Sequence, residues 1–379
     1  MPTPTPLMPA NRMERIARAR QLALVEAPCA TNGLVEPWIE QSWQRCLSQG
    51  QRPEHRLNFE AASSQRMRQT TESNLILIQA ASPILKQLGS ALADTRYFAI
   101  LTNQDGVVVD VDGPIDRSDR RVDLITRIGT DLSEQSVGTT AIGAALQLQQ
   151  PVWLHRGEHF FNDTSAYSCA GAPLFGPDGR YVGMLDLTGV EATERPELRH
   201  LVAHTARNIE NALVLQRPHT LLLRLNWPGM PMGDEGDGLI GLDADGFVTA
   251  ANQAARQMLP PLASPAATHH SRDLFALPSD LLFDAARHQS ERLDAPLWSG
   301  LRLQVQARMA NRLHEATTTT WPAFKSSPPV AHRVPLKDVE TAMILKAVEE
   351  ARGNVAEAAM TLGISRATVY RKLGGGRVR

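Results

Sequence analysis

The sequence of 379 residues is poor in cysteine and has no long apolar run. Cys29, Cys46 and Cys169 lie far apart, so their spacing indicates neither a disulfide framework nor a zinc knuckle. No apolar stretch approaches the ~20 residues of a membrane-spanning helix, and the start MPTPTPLMPANRMERIARAR lacks the apolar centre of a signal peptide. We therefore expect a cytoplasmic protein that does not associate with a membrane.

The sequence also contains no glycine followed directly by lysine. The phosphate-binding loop G-x-x-x-x-G-K-[ST] needs that pair, because its lysine reaches the phosphates, so ATP hydrolysis by this route is excluded. Lysine is scarce throughout, arginine carries nearly all of the positive charge, and the net charge is -1. We expect a protein that is not an enzyme and uses no cofactor or metal, with room for two or three domains.

The stretch from Gly353 to Leu373 carries the most specific pattern in the sequence. Asn354 is placed to cap a helix, and Glu357 follows at the spacing of a capping box. Gly363 ends this helix, since glycine takes the left-handed conformation without steric cost, and Ser365 caps a second one. A capped helix, a glycine turn and a short basic helix predict a helix-turn-helix.

From Ala351 onward the sequence is strongly basic, and Glu357 is its only acidic residue. The basic residues of this stretch are Arg352, Arg366, Arg371, Lys372, Arg377 and Arg379. Such a local excess of positive charge is the electrostatic footprint of phosphate binding and predicts contact with double-stranded DNA. A helical hairpin with a merely solvated cationic face is the alternative.

From about Leu336 to Leu373 the sequence resembles the Fis-type DNA-binding domain of bacterial enhancer-binding activators. The resemblance implies a dimer whose second helices read adjacent major grooves. The residues that it places on DNA are Ser365, Arg366, Thr368, Arg371 and Lys372. Arg366 is the expected base reader, because a guanidinium can bond guanine through two hydrogen bonds.

The middle of the chain predicts an α+β domain with an antiparallel sheet. YFAILTNQDGVVVDVDG (97–113) reads as strand, turn and strand, and YSCAGAPLFGPDGRYVGMLDLTG (167–189) reads as a hairpin around Asp178-Gly179. Before the first strand, helices are predicted over residues 12–26, 36–50 and 70–93, and residues 1–10 are expected to be disordered. Another helix is predicted over residues 194–216. Helices that flank an antiparallel sheet are typical of an α+β fold.

Three separated strings, GTDLSEQSVGTTAIGAAL, PVWLHRGEHF and YSCAGAPLFGPDGRYVGMLDLTG, resemble the GAF sensory domain of acetoin- and dihydroxyacetone-type activators. SWQRCL (42–47) resembles the segment that precedes that domain in the acetoin class. In such domains a small molecule lies between the sheet and the helices over it. The resemblance places the effector at Trp153, His155, His159, Phe160, Cys169 and Asp186. The residues typical of cyclic-nucleotide binding are not evident.

Two other chemistries use the same residues. His155 and His159 with nearby Glu158 and Cys169 could ligate a metal, but spacing across a strand end and a loop does not converge ligands as a helix does. Cys169 could be a redox thiol, as in GAF proteins that reduce methionine sulfoxide, yet the other cysteines belong to a distant segment. A small buried thiol in the core is the simpler interpretation.

Residues 237–259, DGLIGLDADGFVTAANQAARQML, read as strand, turn, strand and helix, which resembles the opening of a PAS-like domain. Two later strands are predicted within residues 293–310, and Leu221–Glu235 is predicted to be a linker or an edge strand. Residues 316–333 are rich in Thr, Ser and Pro and predict a tether. The activators named above carry an ATPase domain and a GAFTGA loop in this position, and this sequence has neither.

The sequence therefore predicts a multidomain α+β protein. Its expected parts are an N-terminal helical segment (1–69), a GAF domain (70–216), a PAS-like domain (217–315), a linker (316–333) and a Fis-type helix-turn-helix (334–379). The predicted function is that of a bacterial transcriptional regulator that senses a small-molecule effector and binds DNA as a homodimer without ATPase activity. The alternative is an interaction protein that modulates a sigma-54-dependent activator. RNA polymerase or such an activator is a further expected partner.

Overall fold

The computed structural model describes residues 11–25, 31, 33–57, 59, 62–264, 268–288 and 292–310, together with Val355 and Arg366. The chain divides into two compact units, Met1–Leu313 and His314–Arg379. The elements that follow belong to the first unit. Within the described part of the chain, no helix is both long enough and apolar enough to cross a membrane.

The described helices occur in groups between runs of strands. They are α1 (Arg12–Arg20), α2 (Pro37–Ser48), α3 (Ser64–Ser73), α4 (Leu75–Ala91), α5 (Arg120–Ile125), α6 (Glu134–Val137), α7 (Ala141–Leu148), α8 (Leu198–Gln216), α9 (Gln253–Met258), α10 (Ser271–Leu274) and α11 (Ser279–Arg287). A short π-helical turn, Gln21–Val25, continues α1.

The strands form two five-stranded antiparallel sheets. They are β1 (Tyr97–Asn103), β2 (Val108–Asp112), β3 (Val152–His155), β4 (Tyr167–Phe175), β5 (Tyr181–Val190), β6 (Leu221–Asn226), β7 (Gly238–Leu242), β8 (Val248–Ala251), β9 (Leu293–Pro296) and β10 (Arg302–Met309). The first sheet has the order β2-β1-β5-β4-β3 and the second the order β8-β7-β6-β10-β9. The predicted α+β class and antiparallel pairing are confirmed.

The first sheet is covered on both faces. One face packs against α4 and α8, and the other packs against α5, α6 and α7. All nine residues of β4 are buried for this reason, although alternate side chains point to opposite faces. Ala170 and Ala172 therefore join the core under α4 and α8, whereas Cys169 joins the core on the other side.

The N-terminal helices are attached to the loop that follows β3. Arg20 on α1 donates hydrogen bonds to the carbonyl oxygens of Gly157, His159 and Phe160 at 2.9, 2.5 and 3.0 Å. Trp43 on α2 is fully buried, and its indole Nε1 donates to the Glu158 carbonyl at 2.9 Å. Helices α1 and α2 thus help to hold the loop of residues 156–160 in place.

Two sequence predictions need correction. Leu221–Glu235 was expected to be a linker or an edge strand, but β6 lies at the centre of the second sheet, between β7 and β10. The physical reason is that all six residues of LLLRLN are buried, and the glycines and prolines begin only after Asn226.

Residues 70–93 were expected to form one helix, but Asn74, at φ -114°, separates α3 from α4. The Asn74 side chain donates to the Thr70 carbonyl at 2.8 Å, which competes with a continuous helix.

The helix α5 was not predicted, although Asp119 supplies the signal, since its carboxylate caps the Arg121 backbone N–H at 2.9 Å. Val355 and Arg366 are helical, and Arg366 is exposed. The rest of the predicted helix-turn-helix, including Ser365, Thr368, Arg371 and Lys372, lies outside the described residues. The proposed domain boundaries stay a prediction.

The two sheets meet through the β4–β5 hairpin and α8. The Pro177 carbonyl in the hairpin turn accepts from the Ala251 backbone N–H and from the Arg256 guanidinium, each at 2.9 Å. Gly179, at φ +82°, lies under Arg256, and a Cβ at this position would be 2.7 Å from the guanidinium carbon. Asn252, the cap of α9, donates to the Asn211 side chain of α8 at 2.7 Å.

Replacing Asn252 by Ala should destabilise the fold far more than an ordinary loss of a helix cap. The buried Asn252 side chain also bonds the Leu239 N–H, the Ala255 N–H and the Asp237 carbonyl. We expect Asn252→Ala to lower the free energy of unfolding by about 3 kcal/mol, because buried polar groups lose their partners. Asn11→Ala removes an exposed cap, whose side chain accepts from the Glu14 N–H, and should cost about 0.5 kcal/mol. Equal losses in urea unfolding of the two variants would contradict this account.

Candidate functional site

A small cavity lies between the first sheet and the helices α5 to α7. Its volume is about 30 Å³, which leaves room for roughly two waters. Most of its wall is apolar, and its polar lining residues are Thr140, His159, Thr164, Tyr167, Cys169, Asp186 and Thr188.

Strand parity brings three of these polar residues together. Asp186 and Thr188 are two residues apart on β5 and so share a face of the sheet. Cys169 on β4 is the direct cross-strand partner of Thr188. His159 enters from the loop after β3, which Arg20 holds through the His159 and Phe160 carbonyls.

These four side chains form a chain of polar contacts. His159 Nδ1 lies 2.9 Å from the Arg156 carbonyl, so this nitrogen carries the proton, and Nε2 faces the Cys169 sulfur at 3.5 Å. The Cys169 sulfur is also 3.5 Å from the Thr188 hydroxyl, which donates to Asp186 Oδ2. Asp186 Oδ1 is buried and has no hydrogen-bond partner among the described residues.

Burial keeps these four side chains close to electrical neutrality. Desolvation raises the pKa of Asp186 to about 7, and the hydrogen bonds from Thr188 and Cys169 offset only part of that rise. Desolvation also lowers the pKa of His159 to about 4, so its imidazole is neutral at neutral pH. The site can therefore exchange one proton near pH 7, at Asp186.

The thiol of Cys169 is not poised to act as a nucleophile. Burial raises its pKa well above the usual range, so the reactive thiolate is not formed at neutral pH. Cys46, the other described cysteine, is buried in a different cluster with Trp43. The described residues contain no group of three or more His, Cys, Asp or Glu side chains that could hold a metal ion.

The structure divides the six residues predicted to contact an effector. His159, Cys169 and Asp186 line the cavity. Trp153 and His155 lie on the opposite face of the sheet, where their rings stack at 6.2 Å.

Phe160 packs in the cluster of α1 and α2 with Phe161. His155 is bonded to the Ser168 hydroxyl at 2.8 Å and does not converge with His159 on a common site. The effector site stays a prediction, now centred on the three residues at the cavity.

Sequence reasoning missed Thr188 and Tyr167 in the cavity wall. The alternation of DLT (186–188) contained the signal for Thr188, because residues two apart on a strand share a face. Tyr167 is two residues before Cys169 on β4, so the same alternation places it on the cavity side of the sheet. His155 and Trp153 could have been separated from Cys169 only with the strand register, which pairs Leu154 with Cys169.

Comparison with known proteins identifies the family. Residues 16–211 match the family described as MimR, N-terminal domain. The chain belongs to this family. The match begins in α1 and runs into α8, so it takes in the N-terminal helices together with the whole first sheet. Residues 335–374 match the family described as bacterial regulatory protein, Fis family.

Relatives of this MimR N-terminal-domain protein include named regulators. The signal-transduction and transcriptional-control protein of Clostridium beijerinckii is 24% identical over 67% of this chain and 39% of its own length. The acetoin catabolism regulatory protein of Cupriavidus necator is 30% identical over 58% of this chain and 34% of its own length. The matched part of the chain thus spans little more than a third of these relatives.

The chain is also similar to a solved structure, the E. coli DhaR(N)–DhaL complex. The sequence identity is 16% and the TM-score is 0.45, and the match covers 72% of this chain and 99% of that one. At this score the likeness carries no information on function.

Asp186→Asn should change how stability depends on pH. The pKa of Asp186 is about 7 in the folded state against 3.8 for the unperturbed group. Between these values the unfolded state has lost the proton that the folded state keeps, so the wild type loses stability as pH rises, by ~1.4 kcal/mol per unit. The loss is complete above pH 7.

The Asn variant lacks this titration. Its unfolding free energy should therefore rise relative to that of the wild type from about pH 4 to pH 7. Thr188→Val removes a hydrogen bond that lowers the pKa of Asp186, and should extend the wild-type loss to higher pH. Urea unfolding across this range measures all three proteins. Parallel profiles for wild type and Asp186→Asn would show that Asp186 does not titrate there.

Proposed function

We propose that this protein is a bacterial transcriptional regulator that senses a small molecule and binds DNA as a homodimer. The match of residues 335–374 to the Fis family is the observation that carries the proposal. The match of residues 16–211 to the MimR N-terminal domain supports a sensory role for the first sheet. Arg366 is helical and its side chain is exposed, which fits a residue that contacts DNA.

The effector site that we propose is the cavity at Asp186, within a GAF-type domain. Its buried acceptor, Asp186 Oδ1, offers an unused hydrogen bond to a ligand, and the apolar wall offers contact to the rest of the molecule. A cavity with room for roughly two waters must widen to admit a metabolite. An effector that binds the widened form better shifts the population toward it, and this shift is the proposed signal.

The second sheet is proposed as a PAS-like domain that transmits the signal. Its helix α9 contacts the β4–β5 hairpin, whose strands carry Cys169, Asp186 and Thr188. A movement of the hairpin would therefore act directly on Arg256 of α9, beside the second sheet. This chain has no phosphate loop, so the proposed mode of action is occupancy of DNA, by which it recruits or blocks polymerase or competes with an activator.

Two substitutions in the proposed recognition helix should have different effects. Arg366→Ala should weaken binding to the specific site by about 1–3 kcal/mol relative to random DNA, because a base contact is lost. Lys372→Ala should weaken binding to every sequence and reduce the salt slope by about 1, because a phosphate contact is lost. Titration of labelled operator and random DNA at several salt concentrations measures both effects.

Arg15→Ala is the matched control, since it removes an exposed arginine from α1, outside the segment 334–379. It should leave affinity and salt slope unchanged. If Arg366→Ala and Lys372→Ala both bind operator as tightly as the wild type, the helix assigned to the major groove is the wrong one.

A further inference from the structure

A second and larger cavity lies where the two sheets meet. It is a cleft of about 340 Å³, with β4 and α8 of the first sheet on one side and α9 beside the second sheet on the other. This volume falls in the range of small-molecule sites, which are common between domains. The cavity at Asp186 is on the other face of the first sheet, so the two are separate sites.

The cleft is lined by both apolar and polar residues. Its lining includes small apolar residues, among them Ala172, Pro173 and Ala254, which we call the floor. The lining also includes four residues whose side chains carry N–H groups, Gln149, Arg207, Gln253 and Gln257. This lining suits a ligand that combines an apolar body with a group that accepts hydrogen bonds from Arg207 and from the glutamine amides.

The charges of the cleft are those of Arg207 and Glu210, which are the charged side chains among the described residues that line it. Glu210 is buried and accepts a hydrogen bond from the Phe175 N–H of β4 at 3.0 Å. Desolvation raises the pKa of Glu210 to about 8, against the hydrogen bond from Phe175, the charge of Arg207 and a weaker hydrogen bond from the Gln253 backbone of α9. At pH 7 the carboxyl of Glu210 is therefore mostly neutral, and Arg207 is the charged side chain that lines the cleft.

The surroundings of Arg207 leave its guanidinium accessible. Its side chain is 51% exposed, and its ion-pair partner Glu235 lies 3.8 Å away, at the outer limit for such a pair. Glu235 is closer to His204, whose Nε2 is 3.3 Å from it. A loose pair of this kind leaves N–H donors of the guanidinium to a ligand.

Gln149 contributes a second observation. It ends α7 in the left-handed conformation, at φ +50°, a position that glycine usually fills. A non-glycine residue there carries a backbone cost of order 1 kcal/mol, and strained residues cluster at ligand sites. The side chain that this backbone presents is one of the amides at the cleft.

We propose that this cleft binds a small organic carboxylate. Arg207 and the glutamine amides receive the carboxylate, and the floor of small apolar residues receives the rest of the molecule. Because β4 and α8 line one side of the cleft and α9 lines the other, the bound molecule bridges these elements near the contact between the β4–β5 hairpin and α9. This second ligand goes beyond the proposed function and depends on neither the cavity at Asp186 nor DNA binding.

The test compares three isosteric probes by calorimetric titration of the full chain at pH 7. Benzoate carries the carboxylate, benzamide is its neutral counterpart and benzamidine its cationic one. We expect benzoate to bind and the other two not to bind. Arg207→Gln should weaken benzoate binding about tenfold, because a charge-assisted hydrogen bond is lost. Ala254→Leu should weaken it at least as much by filling the floor, and the exposed control Arg15→Gln should leave it unchanged.

The pH dependence gives an independent readout. As Glu210 ionises above pH 8, its negative charge offsets that of Arg207, so benzoate binding should weaken about tenfold between pH 7 and pH 9. Glu210→Gln, which cannot ionise, should lose this pH dependence of benzoate binding.

Three results would overturn the proposal. They are the absence of benzoate binding, equal binding of benzamide, and benzoate binding that Arg207→Gln and Ala254→Leu both leave unchanged. Stronger binding of benzamidine than of benzoate would assign the cleft to cations instead.

Discussion

Burial of both faces of the first sheet is the constraint on which the rest of the structure depends. A sheet that is covered by α4 and α8 on one side and by α5 to α7 on the other leaves its strands no solvated face. A polar side chain on β4 or β5 must then find a partner inside or carry a proton. Among the described residues, one oxygen of Asp186 is hydrogen-bonded and the other has no partner, and burial moves the pKa of this carboxyl to about 7. The raised pKa of Asp186 is thus a consequence of how the sheet is covered.

Most elements of the fold could be predicted from local patterns. The hairpin of β4 and β5 follows from two apolar runs around Asp178-Gly179, and the strand β1 follows from YFAILTN before a QDG turn. The central position of β6 could not be predicted in this way, because LLLRLN is followed by a glycine- and proline-rich stretch that suggests a linker. Only its pairing with β7 on one side and with β10 on the other, both of which come later in the chain, shows that β6 is the central strand.

The candidate site was predictable in part for the same reason. Resemblance pointed to the right segments but not to the right faces, since a shift of one residue on a strand exchanges the two sides of a sheet. Cys169 and Asp186 reach the cavity, whereas Trp153 and His155 pack on the far side. His159 reaches it from a loop whose path depends on Arg20, more than a hundred residues earlier in the sequence. Such long-range anchoring leaves no local pattern.

We propose above all that this chain reads specific DNA sequences through residues 334–379. Genome-wide footprinting of the tagged protein, beside a form that lacks those residues, tests it most directly. We predict discrete sites that contain an inverted repeat, with half-sites about one helical turn apart, and their loss in the truncated form. A diffuse signal, or discrete sites that survive the truncation, would contradict the claim and would assign DNA contact to a partner protein.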